Sequence, residues 1–223
     1  MRTTIVLAVA SWLAVGCAAR GRLEPAPEAL PAPPGPGKGA VGVAEGVSME
    51  IRSDAWSGFP RRLTEVTPVL VTIENGGTQP LRIRYSDFTL VAASGKRYAA
   101  IPPFHIDETE VEPIRPADFA GFYVAPYHAR YFPRLKPYGG YFPFDPFYYD
   151  TYYPRFVRIP LPTGDMVQKA LPEGVLEPGG RISGFLYFEN VDKDEGRVNF
   201  RADLVNVTTG ERFGTVDIPL VVE

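Results

Sequence analysis

The chain has 223 residues, 45% of them hydrophobic and 22% charged, with a formal net charge of −3. That balance suits one domain with appendages, excludes wholesale disorder and argues against a nucleic-acid binder, which normally shows a basic face. A single cysteine and two histidines exclude an internal disulfide and a cysteine-rich metal site and leave little for His-based chemistry, while 24 prolines and 22 glycines exclude a bundle of long helices.

Residues Thr3 to Ala19 carry no charge and lie between Arg2 and Arg20. Within them Ile5–Gly16 is an apolar stretch of 12 residues. It is too short to cross a hydrocarbon core of roughly 30 Å and the right size for a signal-peptide core. It ends Leu13-Ala14-Val15-Gly16-Cys17. These five residues resemble the lipobox of bacterial lipoproteins, with a departure at Ala14, where leucine is most common. The resemblance covers only the first 17 residues. It implies that residues 1–16 are removed as a signal peptide, that Cys17 is lipidated on its sulfur and that the new amino group is acylated, palmitate being the expected type of chain. Each buried CH₂ of an acyl chain adds about 0.8 kcal/mol of membrane affinity, so several chains anchor stably. The implied location is the bacterial cell envelope. Ala18 and Ala19 lack the aspartate that resembles an inner-membrane retention signal, which favours the outer membrane.

From Arg20 to Gly46, prolines 25, 27, 31, 33, 34 and 36 alternate with Ala, Gly and Glu. This composition predicts an extended spacer over residues 17–47, able to hold a folded part several nanometres from the bilayer.

From Val47 the apolar period becomes two. Val47, Met49 and Ile51 alternate with polar residues, and Val69, Val71 and Ile73 end at the turn Asn75-Gly76-Gly77. Leu81, Ile83 and Tyr85 follow, then Phe88–Val91, a turn at Ser94-Gly95-Lys96 and a return strand from Tyr98. Towards the C-terminus come Ile182–Phe188, the alternating Val198, Phe200, Ala202 and Leu204, and Val216, Ile218, Leu220 and Val222. Asp217 and Pro219 face the other way, which puts the last strand partly at an edge. Only Asp165–Leu171 has helical character. The pattern predicts an all-β chain, an antiparallel sandwich over residues 48–223 that resembles an immunoglobulin-like domain without its Cys–Trp–Cys framework. That resemblance is architectural and implies no activity.

Residues 103–165 are expected to be an insertion between sandwich strands. From Phe122 to Tyr153 there are 14 Phe or Tyr in 32 residues, among them Tyr131-Phe132, Tyr141-Phe142, Tyr148-Tyr149 and Tyr152-Tyr153, broken repeatedly by proline. Three readings stand: a long loop whose rings pack on the sandwich, a binding surface for an envelope protein or glycan, and a membrane-surface contact. Under the second, Tyr131, Phe132, Tyr141, Phe142, Tyr148, Tyr149, Tyr152 and Tyr153 are the candidate binding residues.

Motifs for chemistry are weak. His105 and Asp107 share a strand face and supply at most two metal ligands, and a solvated acidic loop explains them better. Asn190, Asp192 and Asp194 have the spacing of early calcium-loop ligands, but the glycine comes late at Gly196 and Arg201 occupies the twelfth position. Asn206-Val207-Thr208 matches a glycosylation sequon that a bacterial lipoprotein would not use. No nucleophile elbow, zincin pair or phosphate-binding loop is present. The sequence therefore reads as a non-enzyme without a cofactor, attached to the membrane through its N-terminal lipid. Its expected role is structural or protein-interacting, the alternative being a carbohydrate- or peptidoglycan-binding module that uses the aromatic insertion.

Overall fold

A computed structural model describes residues 21–113 and 156–223. The lipobox with Cys17, and the aromatic segment with Tyr131, Phe132, Tyr141, Phe142, Tyr148, Tyr149, Tyr152 and Tyr153, lie outside the described residues.

The described chain is all-β and antiparallel. In order it forms β1 (Leu23–Pro25), β2 (Leu30–Pro31), β3 (Lys38–Ala44), β4 (Val47–Ser53), β5 (Thr67–Asn75), β6 (Leu81–Ile83), β7 (Phe88–Ala92), β8 (Arg97–Ile101) and β9 (Thr109–Pro113). It resumes with β10 (Phe156–Pro160), a short helix α1 (Gly164–Lys169), β11 (Gly174–Leu176), β12 (Arg181–Phe188), β13 (Arg197–Val205) and β14 (Arg212–Val222). Ten strands make one sheet in the order β1-β14-β13-β7-β8-β12-β5-β4-β3-β2. Its two five-stranded halves are joined by only two residue pairs, Tyr187 with Ile101 and Phe188 with Ala100. The sheet curls until β3 packs against β14 at the far side. Gly42 makes that closure: a Cβ there would stand 2.7 Å from side-chain carbons of both Val216 and Ile218.

The period-two residues line the space inside the curl. Val47, Met49 and Ile51, Val69, Val71 and Ile73, Leu186 and Phe188, Val198, Phe200, Ala202 and Leu204, and Val216, Ile218 and Leu220 are all buried in one core. Tyr85 closes one side of it, its hydroxyl donating to the Leu171 carbonyl at 2.8 Å. Burial pushes the Tyr85 pKa up to about 12, with the Glu173 carboxylate adding to the effect. Strand β14 pairs with β13 along its length and with β1 only at residues 220–222, which leaves Pro219 on the partly open edge as expected.

The spacer expected over residues 17–47 is corrected by this sheet. Leu23 and Ala40 belong to the core, β1 pairs with the C-terminal strand, and β3 pairs with β4 through seven residues. Prolines are tolerated because Pro25 and Pro31 end short edge strands, where a missing N–H interrupts no ladder. The hairpin between β3 and β4 turns on Glu45 and Gly46, with φ of 51° and 78°. That pair suits the two-residue turn whose twist matches the flanking strands.

The insertion boundary is corrected too. Strands β9 and β10 pair as a separate ribbon, Phe156 opposite Pro113 through Pro160 opposite Thr109. One ribbon face packs on the body, burying Glu110 and Ile159. Ile106, Leu161 and Met166 then form a second core with Ala55, Val66, Phe185 and Tyr187 on the outer side of β12. Residues 103–113 and 156–165 are therefore part of the fold. We expect a chain shortened at the ribbon tip, with residues 114–155 replaced by a two-residue Asn-Gly turn, to be more stable than one lacking residues 103–165. Fully burying a large aliphatic side chain is worth roughly 1.5–3 kcal/mol, and the longer deletion removes Ile106, Ile159, Leu161 and Glu110. Denaturant unfolding of the two deletions checks this, and equal midpoints would contradict it.

Candidate functional site

A cleft of about 640 Å³ opens at one end of the sheet. It lies where β4 ends at Ser53 and Asp54, where β5 begins at Thr67, and where the chain leaves β12 at Asn190; the start of β1, from Gly21 to Leu23, forms a further wall. The last wall is the loop from Trp56 to Val66 that crosses the outer side of the sheet.

That loop has no regular ladder of its own, so its backbone must find other partners. The buried Glu110 carboxylate on β9 supplies them. It accepts from the backbone N–H groups of Thr64 and Glu65, the latter at 2.7 Å, and from the Thr64 hydroxyl at 2.7 Å. Glu112 accepts from the Arg62 N–H at 3.0 Å, and Asn190 donates to the Thr64 carbonyl at 2.7 Å. The other end of the loop is held by its aromatic residue. Trp56 Nε1 donates to the Pro60 carbonyl at 2.7 Å, and the indole meets Phe185 edge-on with ring centroids 5.1 Å apart. The Lys169 ammonium sits 5.5 Å from the Trp56 ring. The ribbon thus holds the loop that forms one wall of the cleft.

The N-terminal wall is tied as firmly. The N–H of Gly21 donates to the Val191 carbonyl at 3.0 Å, and Arg22 and Glu223 exchange backbone hydrogen bonds of 2.8 and 2.9 Å. The Arg22 guanidinium pairs with Asp54 and lies 3.8 Å from Glu24. Three arginines, Arg22, Arg61 and Arg62, line the cleft against the single carboxylate of Asp54. Arg61 and Arg62 are both exposed. Guanidinium forks suit oxyanions such as carboxylates, and Arg22 already engages two of them, Asp54 and Glu24. The Thr64 hydroxyl is already a donor to Glu110, so its bond is spent on holding the loop.

Of the described residues singled out from the sequence, Asn190 lines the cleft and holds its loop, and the others lie elsewhere. His105 and Asp107 are exposed on a turn, and among the described residues no three His, Cys, Asp or Glu side chains converge as a metal site. Asp192 bonds the Lys96 ammonium at 2.7 Å, which holds its carboxyl below the ordinary carboxylate range. Tyr98 donates to Glu195 at 3.1 Å in the same network. Asn206 accepts from the N–H groups of Thr208 and Thr209, as a turn residue does. Arg22, Arg61, Arg62 and Trp56 were missed by sequence reasoning. The available signal was Phe59-Pro60-Arg61-Arg62 in a Gly/Pro loop three residues after a tryptophan.

We expect Glu110→Ala to lower the unfolding free energy by at least about 2 kcal/mol, since each buried donor left unpartnered costs on the order of 1–3 kcal/mol. Chemical denaturation of the two forms measures this directly. A change within about 0.5 kcal/mol, the scatter of ordinary surface substitutions, would mean that the carboxylate does not hold the loop.

Comparison with protein-family models, with curated proteins and with solved structures gives no significant match to this chain in any of the three.

Proposed function

We propose that this is a non-catalytic lipid-anchored protein of the bacterial cell envelope, attached at the outer membrane through Cys17, with a body that holds or assists another envelope component. The observation that carries the reading is the position of the chain's one cysteine. It follows an apolar stretch of signal-peptide length and precedes, by four residues, the Gly21 amide that is bonded into the folded body. Four residues span at most about 14 Å. An anchor at Cys17 therefore keeps the body at the bilayer surface, close to whatever it supports there.

The body itself reads as an immunoglobulin-like sandwich. The two five-stranded halves of the curled sheet enclose one core and are joined by only the short β8–β12 pairing, which supports that reading. A carbohydrate- or peptidoglycan-binding role is a second reading, favoured by the outward face of the ribbon. Val111 is 54% exposed and Phe156 59% exposed there, beside Arg158, at the two roots of the aromatic segment. Apolar rings and arginine at a surface suit stacking on a sugar face as well as a protein hot spot.

Replacing Cys17 by alanine tests the anchor. The variant is expected in the soluble fraction of the envelope, with its precursor uncleaved at this site and without labelled fatty acid. Equal incorporation of label into wild type and variant would overturn the assignment.

A further inference from the structure

We propose that Asn75 is a deamidation site shielded by the fold, so that a chain that loses its fold acquires an irreversible mark that bars it from refolding. The inference concerns the body alone and stands independently of lipidation at Cys17. Asn75-Gly76 is the one Asn-Gly pair in the sequence. In an open chain such a pair is the most labile setting for an asparagine, because glycine puts no side chain in the way of its own backbone nitrogen. That nitrogen gives up its proton and attacks the Asn75 Cγ. A C–N bond forms, the bond to the amide nitrogen breaks, and ammonia leaves with the proton. Solvent water then adds to one of the two carbonyls of the cyclic imide. Ring opening leaves either an aspartate at this position or an isoaspartyl linkage, in which the chain continues through the side-chain carbonyl.

The structure opposes the first step and penalises the product. Asn75 is fully buried, although Gly76 beside it is exposed. Both hydrogens of its side-chain amide are engaged, Nδ2 donating to the Gln79 carbonyl at 2.8 Å and to the Leu176 carbonyl at 2.9 Å. Oδ1 accepts from the Gly77 N–H at 3.1 Å. The main chain of Asn75 donates to the Gly180 carbonyl at 2.9 Å and accepts from the Gly179 N–H at 2.6 Å. One residue thus ties the end of β5 to the loop between β11 and β12. The departing nitrogen must take up a proton and leave, which its two hydrogen bonds and the closed surroundings oppose. After deamidation, a carboxylate oxygen would face the carbonyl oxygens of Gln79 and Leu176 in a site closed to solvent, where an acceptor without a donor is costly. In the isoaspartyl form the extra backbone carbon also moves the main-chain groups away from Gly179 and Gly180.

The test needs no variant. The full mature protein is incubated at mildly alkaline pH, in buffer and in parallel in guanidinium chloride sufficient to unfold it. Mass spectrometry of the peptide that contains Asn75 follows loss of the amide. With two hydrogen bonds to break, deamidation is expected to be on the order of tenfold to a hundredfold slower in the folded protein. The denaturant is then removed, and refolded molecules are separated from the rest by size-exclusion chromatography. Refolded molecules are expected to carry the intact asparagine, and the deamidated forms to collect in the fraction that fails to refold. Equal rates in buffer and in denaturant would overturn the shielding. Deamidated chains shared evenly between the two fractions, or refolded with the denaturation midpoint of the fresh protein, would overturn the bar to refolding and the proposal with it.

Discussion

The pairing of the chain's first described residues with its last is the constraint on which the rest of the architecture depends. Arg22 and Glu223 exchange two backbone hydrogen bonds, and Leu23, Glu24 and Pro25 pair with Val222, Val221 and Leu220. This short edge strand protects part of β14, buries Leu23 in the core and delivers the N-terminus to the end of the sheet where the cleft opens. From there β2 and β3 cover the other edge, and Gly42 lets β3 approach Val216 and Ile218 closely enough to close the curl. Without the segment from Leu23 to Ala44 both edges of the sheet would stand open.

A second dependency links the ribbon to the cleft. Glu110 is 1% exposed, and its carboxylate accepts three hydrogen bonds from the loop that carries the arginines. A buried carboxylate with its acceptors filled is stable, and the same group stripped of donors is expensive. The loop is thus tied to the ribbon mainly through Glu110, with Glu112 adding a bond to the Arg62 N–H. Pro113 lies three residues beyond Glu110 on the same strand and pairs with Phe156.

The strands of the main core were legible because each buries one face. Val198, Phe200, Ala202 and Leu204 alternate with Arg197, Asn199, Arg201 and Asp203, and the structure buries the first set and leaves the second more accessible. The helix was legible too from the helical character of Asp165–Leu171, and the structure forms it over Gly164–Lys169 with Thr163 accepting the Met166 N–H as its cap. Strand β3 was not legible, because Ala40 and Gly42 face the core where a strand pattern normally shows Val, Ile or Leu. Small residues are needed there for close approach, and beside prolines they read as spacer. The second core was hidden for another reason. Phe185 to Phe188 is a continuous apolar run, which signals burial on both faces, but its partners Val66, Ile106, Leu161 and Met166 come from three separated segments. The cleft arginines carry no periodicity at all, and only the fold brings Arg22 beside Arg61 and Arg62.

The central claim is that the proline-rich N-terminal segment is built into the body. Residue-resolved hydrogen exchange on the full mature protein tests it most directly. The Arg22 amide bonds the Glu223 carbonyl and the Ala26 amide bonds the Pro219 carbonyl at 3.1 Å. These two amides are predicted to be protected to a degree comparable with the β14 amides around Ile218, since local openings follow cooperative units. Exchange of Arg22 and Ala26 at the rate of an unstructured peptide, while Ile218 stays protected, would contradict the account and restore the segment to a spacer.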